Sequence, residues 1–278
     1  MNRIAVCSWS LRPASIENLL DLCRSCGVSA AQLWLDPIRQ WQWRPDSVGS
    51  LARSHGLSLV SGMFAPKDED YSTLDTIKAT GGVRPDATWE ANLKAAEADA
   101  IMAARFGIPL VTFHAGFIPH DHADPSRAAM VTRLRQIAEA MAARNIRVAL
   151  ETGQEDAATL LDALREINEG LGDKAKVAVN FDPANMILYG MGDPVAALKQ
   201  LMPHVLQVHV KDAVPAKDRG SWGEEKVVGK GAVDWPKFFG VLKDAGYPGD
   251  FVIEREAGED RVADIRSARD LIEKHWTF

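Results

Sequence analysis

Short apolar runs recur along this chain, separated by longer stretches in which apolar positions return every three or four residues. The runs that read as strands are Ile4–Ser8, Ala30–Leu35, Leu57–Met63, Leu110–His114, Val148–Glu151, Val177–Asp182, Leu206–Val210 and Phe251–Glu254. Helical spacing predicts helices over stretches such as Ser15–Cys26, Ala87–Phe106, Ser126–Arg144, Ala157–Glu169, Pro194–Met202, Trp235–Ala245 and Arg261–Trp276. Gly27, Gly56, Gly107 and Gly246 stand where helices should stop, and Asp156, Asp193 and Asp234 where they should be capped. Strands apolar on both faces, each followed by a helix, belong in a parallel sheet covered on its outside. Eight such units predict an α/β fold, a (β/α)8 barrel, with residues 1–278 forming a single domain.

The polar residues that end these runs carry the chemistry. The fifth to eighth runs finish in Glu151, Asp182, His209 and Glu254. A parallel barrel gathers the C-terminal ends of its strands around one axis, so four side chains distant in sequence are predicted to converge. Two glutamates, an aspartate and an imidazole suit a divalent cation that prefers oxygen with some nitrogen. Two connections are long, residues 65–86 and 213–233, and both leave from the same end of the barrel, where loops usually build the site.

Composition narrows the partners. Thirty-two basic and 38 acidic residues give a net charge of −6, with no basic block of the kind that binds nucleic acid. No apolar run is long enough to cross a membrane, and the N-terminal MNRIAVCSWS lacks the pattern of a signal peptide, so a cytoplasmic protein is expected. Three cysteines make no disulfide framework. Cys23 and Cys26 form a CxxC, but it lies inside a helical stretch without the second pair of a zinc ribbon, so both read as helix residues. His120 and His122 resemble a metal pair in a loop and are expected to face solvent.

The motifs FHAG (113–116), ALETG (149–153), FDPAN (181–185), HVKD (209–212), GKGAVDW (229–235) and IEREAG (253–258) together resemble the xylose-isomerase-like TIM barrels of sugar and sugar-phosphate isomerases and epimerases, the ketose 3-epimerases among them. The resemblance covers essentially the whole chain. It implies one Mn²⁺, Mg²⁺ or Co²⁺, with Zn²⁺ as a further candidate, bound by Glu151, Asp182, His209 and Glu254. It also implies that Glu151 and Glu254 act as the acid/base pair, moving a proton through a metal-stabilised enediolate on a small-molecule sugar. His114, Glu155, Asn185, Lys211, Trp9 and Trp34 are the expected substrate contacts. Relatives of this kind imply a homodimer or homotetramer.

Two departures bear on substrate identity. Asn185 stands where many such epimerases place a histidine, and Pro215 where they place an arginine. The metal site therefore transfers from the family better than the substrate does. A lyase or dehydratase acting on a keto-sugar or inosose needs the same metal and base, and is the alternative reading. A nuclease of the AP-endonuclease branch would need further histidines, but strand three runs into Met63–Phe64 and residues 213–233 contain none. A non-catalytic barrel would show no metal-dependent turnover on any ketose.

Overall fold

In a computed structural model, which describes residues 2–218 and 220–278, eight parallel strands close a barrel in the order β1-β10-β7-β6-β5-β4-β3-β2. These are β1 (Ile4–Cys7), β2 (Ala30–Trp34), β3 (Ser58–Met63), β4 (Leu110–Phe113), β5 (Arg147–Glu151), β6 (Ala178–Phe181), β7 (Val205–Val210) and β10 (Asp250–Ile253). The two remaining strands, β8 (Asp212–Val214) and β9 (Glu224–Lys226), pair antiparallel in a hairpin outside the barrel wall. All eight predicted strands are present, with ends within a residue or two of the expectation. Closure is made by β1 on β10, where Ile4, Ala5 and Val6 pair with Phe251, Val252 and Ile253.

Eleven α-helices are present among the described residues. Asp156, Asp193 and Asp234 do cap helices, accepting the amides of Thr159, Ala196 and Lys237. Gly27 and Gly107 end theirs in the left-handed conformation that glycine adopts without strain. The structure adds helices at Asp36–Arg39, Pro45–Ser54, Leu74–Thr80 and Pro183–Leu188. Three of these start with proline at or next to the first turn, and Thr73 caps the fourth in a reciprocal pair with Thr76. Cys23 and Cys26 are free and buried on the core face of Ile16–Cys26, as helix residues.

The main apolar core lies between the barrel and its helices, where Phe181, Phe238, Phe239 and Phe251 stack edge to face or tilted on one another. The inside of the barrel is different. Beneath its C-terminal mouth Gln32, Thr112, Asn180, Gln207 and His209, from four strands, form a buried polar layer. Gln32 donates to Thr112 Oγ1 at 2.6 Å, and Gln207 donates to Gln32 Oε1 and Asn180 Oδ1 at 3.2 Å each. A register shift between Val179 and Asn180 and another between Ala31 and Gln32 fall at two of these positions.

Candidate metal centre and active site

The four predicted ligands do converge: donor atoms of Glu151, Asp182, His209 and Glu254 lie within 4.8 Å of one another, and all four residues are buried. His209 Nδ1 is 3.3 Å from Glu151 Oε1, 3.3 Å from Glu254 Oε2 and 3.8 Å from Asp182 Oδ2.

Local structure sets each side chain. Asp182 is the N-cap of Pro183–Leu188, and its Oδ1 accepts the amides of Ala184 and Asn185 while its Oδ2 points to the centre. Thr152 Oγ1 both accepts the Asp182 amide at 2.8 Å and donates to the Asp182 carbonyl at 3.0 Å, locking the end of β5 to the end of β6. Gly153, at φ 133°, lets that link form, since a Cβ there would lie 2.4 Å from the Asn185 Cβ. Asn185 donates to Glu151 Oε1 at 2.9 Å, so its amide steers a ligand. Trp9 Nε1 donates to Glu254 Oε1 at 2.8 Å, and Lys211 Nζ reaches Glu254 Oε2 at 3.1 Å and Glu256 Oε2 at 2.5 Å.

The donor set fits a divalent cation on two observations. Asp182 Oδ2 and His209 Nδ1 are buried without any hydrogen-bond partner, although both face the other two carboxylates. The far side of the ring explains the orientation: His209 Nε2 lies 2.7 Å from Gln32 Oε1, so the proton belongs on Nε2 and a lone pair on Nδ1. A lone pair aimed at carboxylates is unfavourable, so without a cation the imidazole takes up a second proton. Against its burial, Cys7, Glu151 and Glu254 push its pKa well up, and a bound cation would replace that proton on Nδ1. The charges tell the same story. Burial, with Glu254 and Glu151 close by and only Lys211 and His209 opposing, pushes the Asp182 carboxyl well up. Burial also acts on Glu254, but Lys211 and His209 outweigh it and hold this carboxyl well below the usual range; His209 and His114 do the same, more weakly, for Glu151.

The centre opens into a cavity of about 500 Å3. His114, 3.5 Å from Glu151 Oε1 through Nε2, lies on its wall with Asn185, Lys211 and Trp9. Both long loops reach the cavity too, which gives them a place in the site. Residues 65–86 bring Glu69 and Tyr71, whose hydroxyl donates to Glu69 Oε2 at 3.2 Å; burial raises the Glu69 carboxyl despite nearby His114. This loop docks against the FHAG turn at Gly116 (φ 90°), where a Cβ would lie 2.3 Å from the Gly81 carbonyl oxygen. Residues 213–233 bring Trp222, Gly223 and Glu225. They are organised by Asp212, whose buried carboxylate accepts the amides of Ala213, Gly229, Gly231 and Val233 and the indole N–H of Trp235. HVKD and GKGAVDW are thus two halves of one loop anchor.

Some expected contacts sit elsewhere. Glu155 is buried in the loop after β5 and is not on the cavity wall; burial, reinforced by Asp156, pushes its carboxyl up to about 8. Trp34 lies in a neighbouring cleft. His120 and His122 are exposed; His122 meets Asp162 and Glu166, two carboxylates that Arg127 already pairs. Glu69, Tyr71, Trp222, Glu225 and Glu256 are among the wall residues that sequence reasoning missed, on loops except for Glu225, which lies in β9.

A family model described as xylose isomerase-like TIM barrel matches residues 20–275. Among solved structures, a xylose isomerase domain protein from Planctomyces limnophilus superposes with a TM-score of 0.85, 27% identity and coverage of 99% of this chain and 96% of that one. The D-allulose 3-epimerase from Methylomonas sp., in complex with D-allulose, gives a TM-score of 0.74 at 15% identity over 99% and 97% of the two chains, a likeness of fold. In sequence, the putative L-ribulose-5-phosphate 3-epimerase UlaE of Shigella dysenteriae serotype 1 (strain Sd197) is 40% identical over 75 residues, 26% of this chain and 24% of that protein. The chain thus aligns with about a quarter of the length of the curated relatives it matches. With a closed barrel, a convergent strand-end cluster and a family match over nearly its whole length, this chain belongs to the xylose isomerase-like TIM-barrel family.

Proposed function

We propose that the protein is a divalent-cation-dependent isomerase or epimerase of a small sugar, with Glu151, Asp182, His209 and Glu254 holding the cation and Glu151 and Glu254 moving the proton. The observation that carries this reading is the pair of buried, unpartnered atoms, Asp182 Oδ2 and His209 Nδ1, aimed at two further carboxylates. When bound, the cation polarises a substrate carbonyl and its neighbouring hydroxyl and so acidifies the C–H between them. Glu151 and Glu254 reach the centre from β5 and from the end of β10, each with a carboxylate oxygen 3.3 Å from His209 Nδ1. One removes the proton beside the carbonyl and the other returns one, from the opposite face for an epimerisation.

Their partners hold the two carboxylates differently. Asn185 and His114 face Glu151, whereas Trp9 and Lys211 fix both oxygens of Glu254. Tyr71, Tyr189 and Trp222 line the cavity, with Tyr189 edge-on to Trp222 at 4.9 Å between ring centroids. The epimerase named for the partial sequence relative is consistent with this chemistry. A cytoplasmic setting suits the three free cysteines.

The test is deuterium wash-in from D2O on a panel of ketoses with Mn²⁺ supplied. Exchange at the carbon beside the carbonyl, without loss of water from the product, is the expected result. An unsaturated carbonyl product would establish the lyase reading instead, and no exchange on any member would remove both. Glu254→Gln should slow exchange by about 10²–10⁴-fold while the protein keeps its cation. Full exchange in that variant would refute the acid/base role.

A further inference from the structure

Next to the metal cavity lies a second cleft of about 330 Å3. Trp9 lines both spaces. Its N–H is committed to Glu254, so one edge of the ring belongs to the reacting centre while the ring also walls the cleft. Trp34 and Trp43 complete an aromatic lining, so three of the chain's eight tryptophans meet here.

The two elements that carry this lining are tied together. Trp34 is the last residue of β2, and its amide donates to Ser8 Oγ at 2.8 Å in the 3₁₀ turn Ser8–Leu11 that bears Trp9. Trp43 is the buried floor, whereas Trp34 is 36% exposed and packs on no other aromatic ring among the described residues. At the rim stand two hydrogen-bonding side chains. Arg12 is in a left-handed conformation (φ 49°), its backbone N–H donating to the Trp9 carbonyl at 3.2 Å, and Gln42 lines the same cleft. Flat indoles with a few polar groups at the edge suit a ring with apolar C–H faces and hydroxyls around it.

Charge limits what this ring is attached to. The metal cavity is lined by Glu69, Glu151, Glu225, Glu254 and Glu256, against Lys211 as its ammonium. Lys211 is already bound to Glu254 and Glu256, and Arg255 behind the wall is bound to Glu225 and Asp264. Lys226 pairs with Glu224, and Lys230 is exposed away from the wall. Lys211, Arg255, Lys226 and Lys230 are therefore spent or misplaced for a phosphate at the metal centre, and Arg12, at the rim of the other cleft, lies 4.0 Å from Glu259.

We infer that the substrate is an uncharged sugar bearing a second, glycosidically linked ring, with the reacting sugar at Glu151 and Glu254 and the second ring stacked in the Trp9–Trp34–Trp43 cleft. This rests on the sugar-isomerising reading above and names its substrate class.

The test is direct binding without turnover, by calorimetry on the full chain with and without Mn²⁺. The probes are a panel of methyl glycosides, the matching p-nitrophenyl glycosides and disaccharides, and the hexose 6-phosphates. At least one ring-bearing probe should bind about ten-fold tighter than its methyl partner. Trp34→Ala should abolish that ratio and Trp34→Phe should keep most of it, with folding of both checked by circular dichroism. The two arms show whether the second ring is a sugar or an aryl group. Equal affinity for methyl and ring-bearing partners across the panel, an unchanged ratio in Trp34→Ala, or tightest binding of a phosphate would overturn the inference. So would a dimer that covers Trp34, seen by sedimentation as dissociation in Trp34→Ala. The ratio is measured without catalysis, so a protein that shows it yet exchanges no deuterium would sink the isomerase reading and leave the cleft standing. Exchange on free ketoses without the ratio would do the reverse.

Discussion

Glu155 offers a test of the electrostatics that needs no substrate. Its carboxyl is buried in the loop after β5, and Oε2 makes no hydrogen bond. Burial holds its pKa at about 8, above the 4.5 of a free glutamate. The direction of the pH effect follows from which state binds the proton. Below about pH 4.5 both folded and unfolded chains are protonated and the group is neutral to stability. Between 4.5 and 8 the unfolded chain ionises while the folded one retains its proton, so stability is lost as pH rises through this window and levels off above it. The full difference of 8 − 4.5 = 3.5 pH units, at about 1.4 kcal/mol each, is on the order of 5 kcal/mol, with about 3 kcal/mol of it lost by pH 7. Glu155→Gln removes the ionisation and keeps the shape. Urea unfolding of the wild type and of Glu155→Gln at intervals from pH 4.5 to 9 should give curves that separate as pH rises, the variant becoming the more stable by several kcal/mol near pH 8. Curves that stay parallel across the range would refute a neutral buried carboxyl. A wild type that gains on the variant with rising pH would show an ionised one with a partner.

Two further substitutions test the supports of the site. Gln32→Leu removes the acceptor of His209 Nε2 and should weaken cation affinity about 10–100-fold, read by competition with a chelating dye, while the barrel stays folded. Asp212→Ala strips five donors of their shared acceptor and should cost about 3 kcal/mol or more in urea unfolding, with faster proteolysis of residues 213–233.

The barrel and its four strand-end residues were legible because each signal is local. A run such as Lys176–Asp182 states both its strand and the polar residue that ends it, and the parallel barrel does the converging. The supporting groups were hidden for a physical reason. Gln32, Asn180 and Gln207 sit inside apolar runs and read as minor interruptions, yet they face one another across the barrel axis. Polar residues at matched heights in several strands were the available signal. Glu69, Tyr71 and Trp222 reach the cavity because their loops fold back over it, and only the packed chain fixes that path. Glu155 shows the converse. Four residues after Glu151 looked like a substrate position, but the turn through Gly153 buries it away from the cavity. Asp212, within a motif that resembled a site, spends both oxygens on its own loop.

The claim on which the rest depends is that four strand-end residues form one cation site. Elemental analysis of purified protein reconstituted with Mn²⁺ and dialysed should give one ion per chain for the wild type, and well under one for His209→Ala and for Asp182→Asn. Wild-type protein without bound metal, or variants that retain a full equivalent, would contradict it.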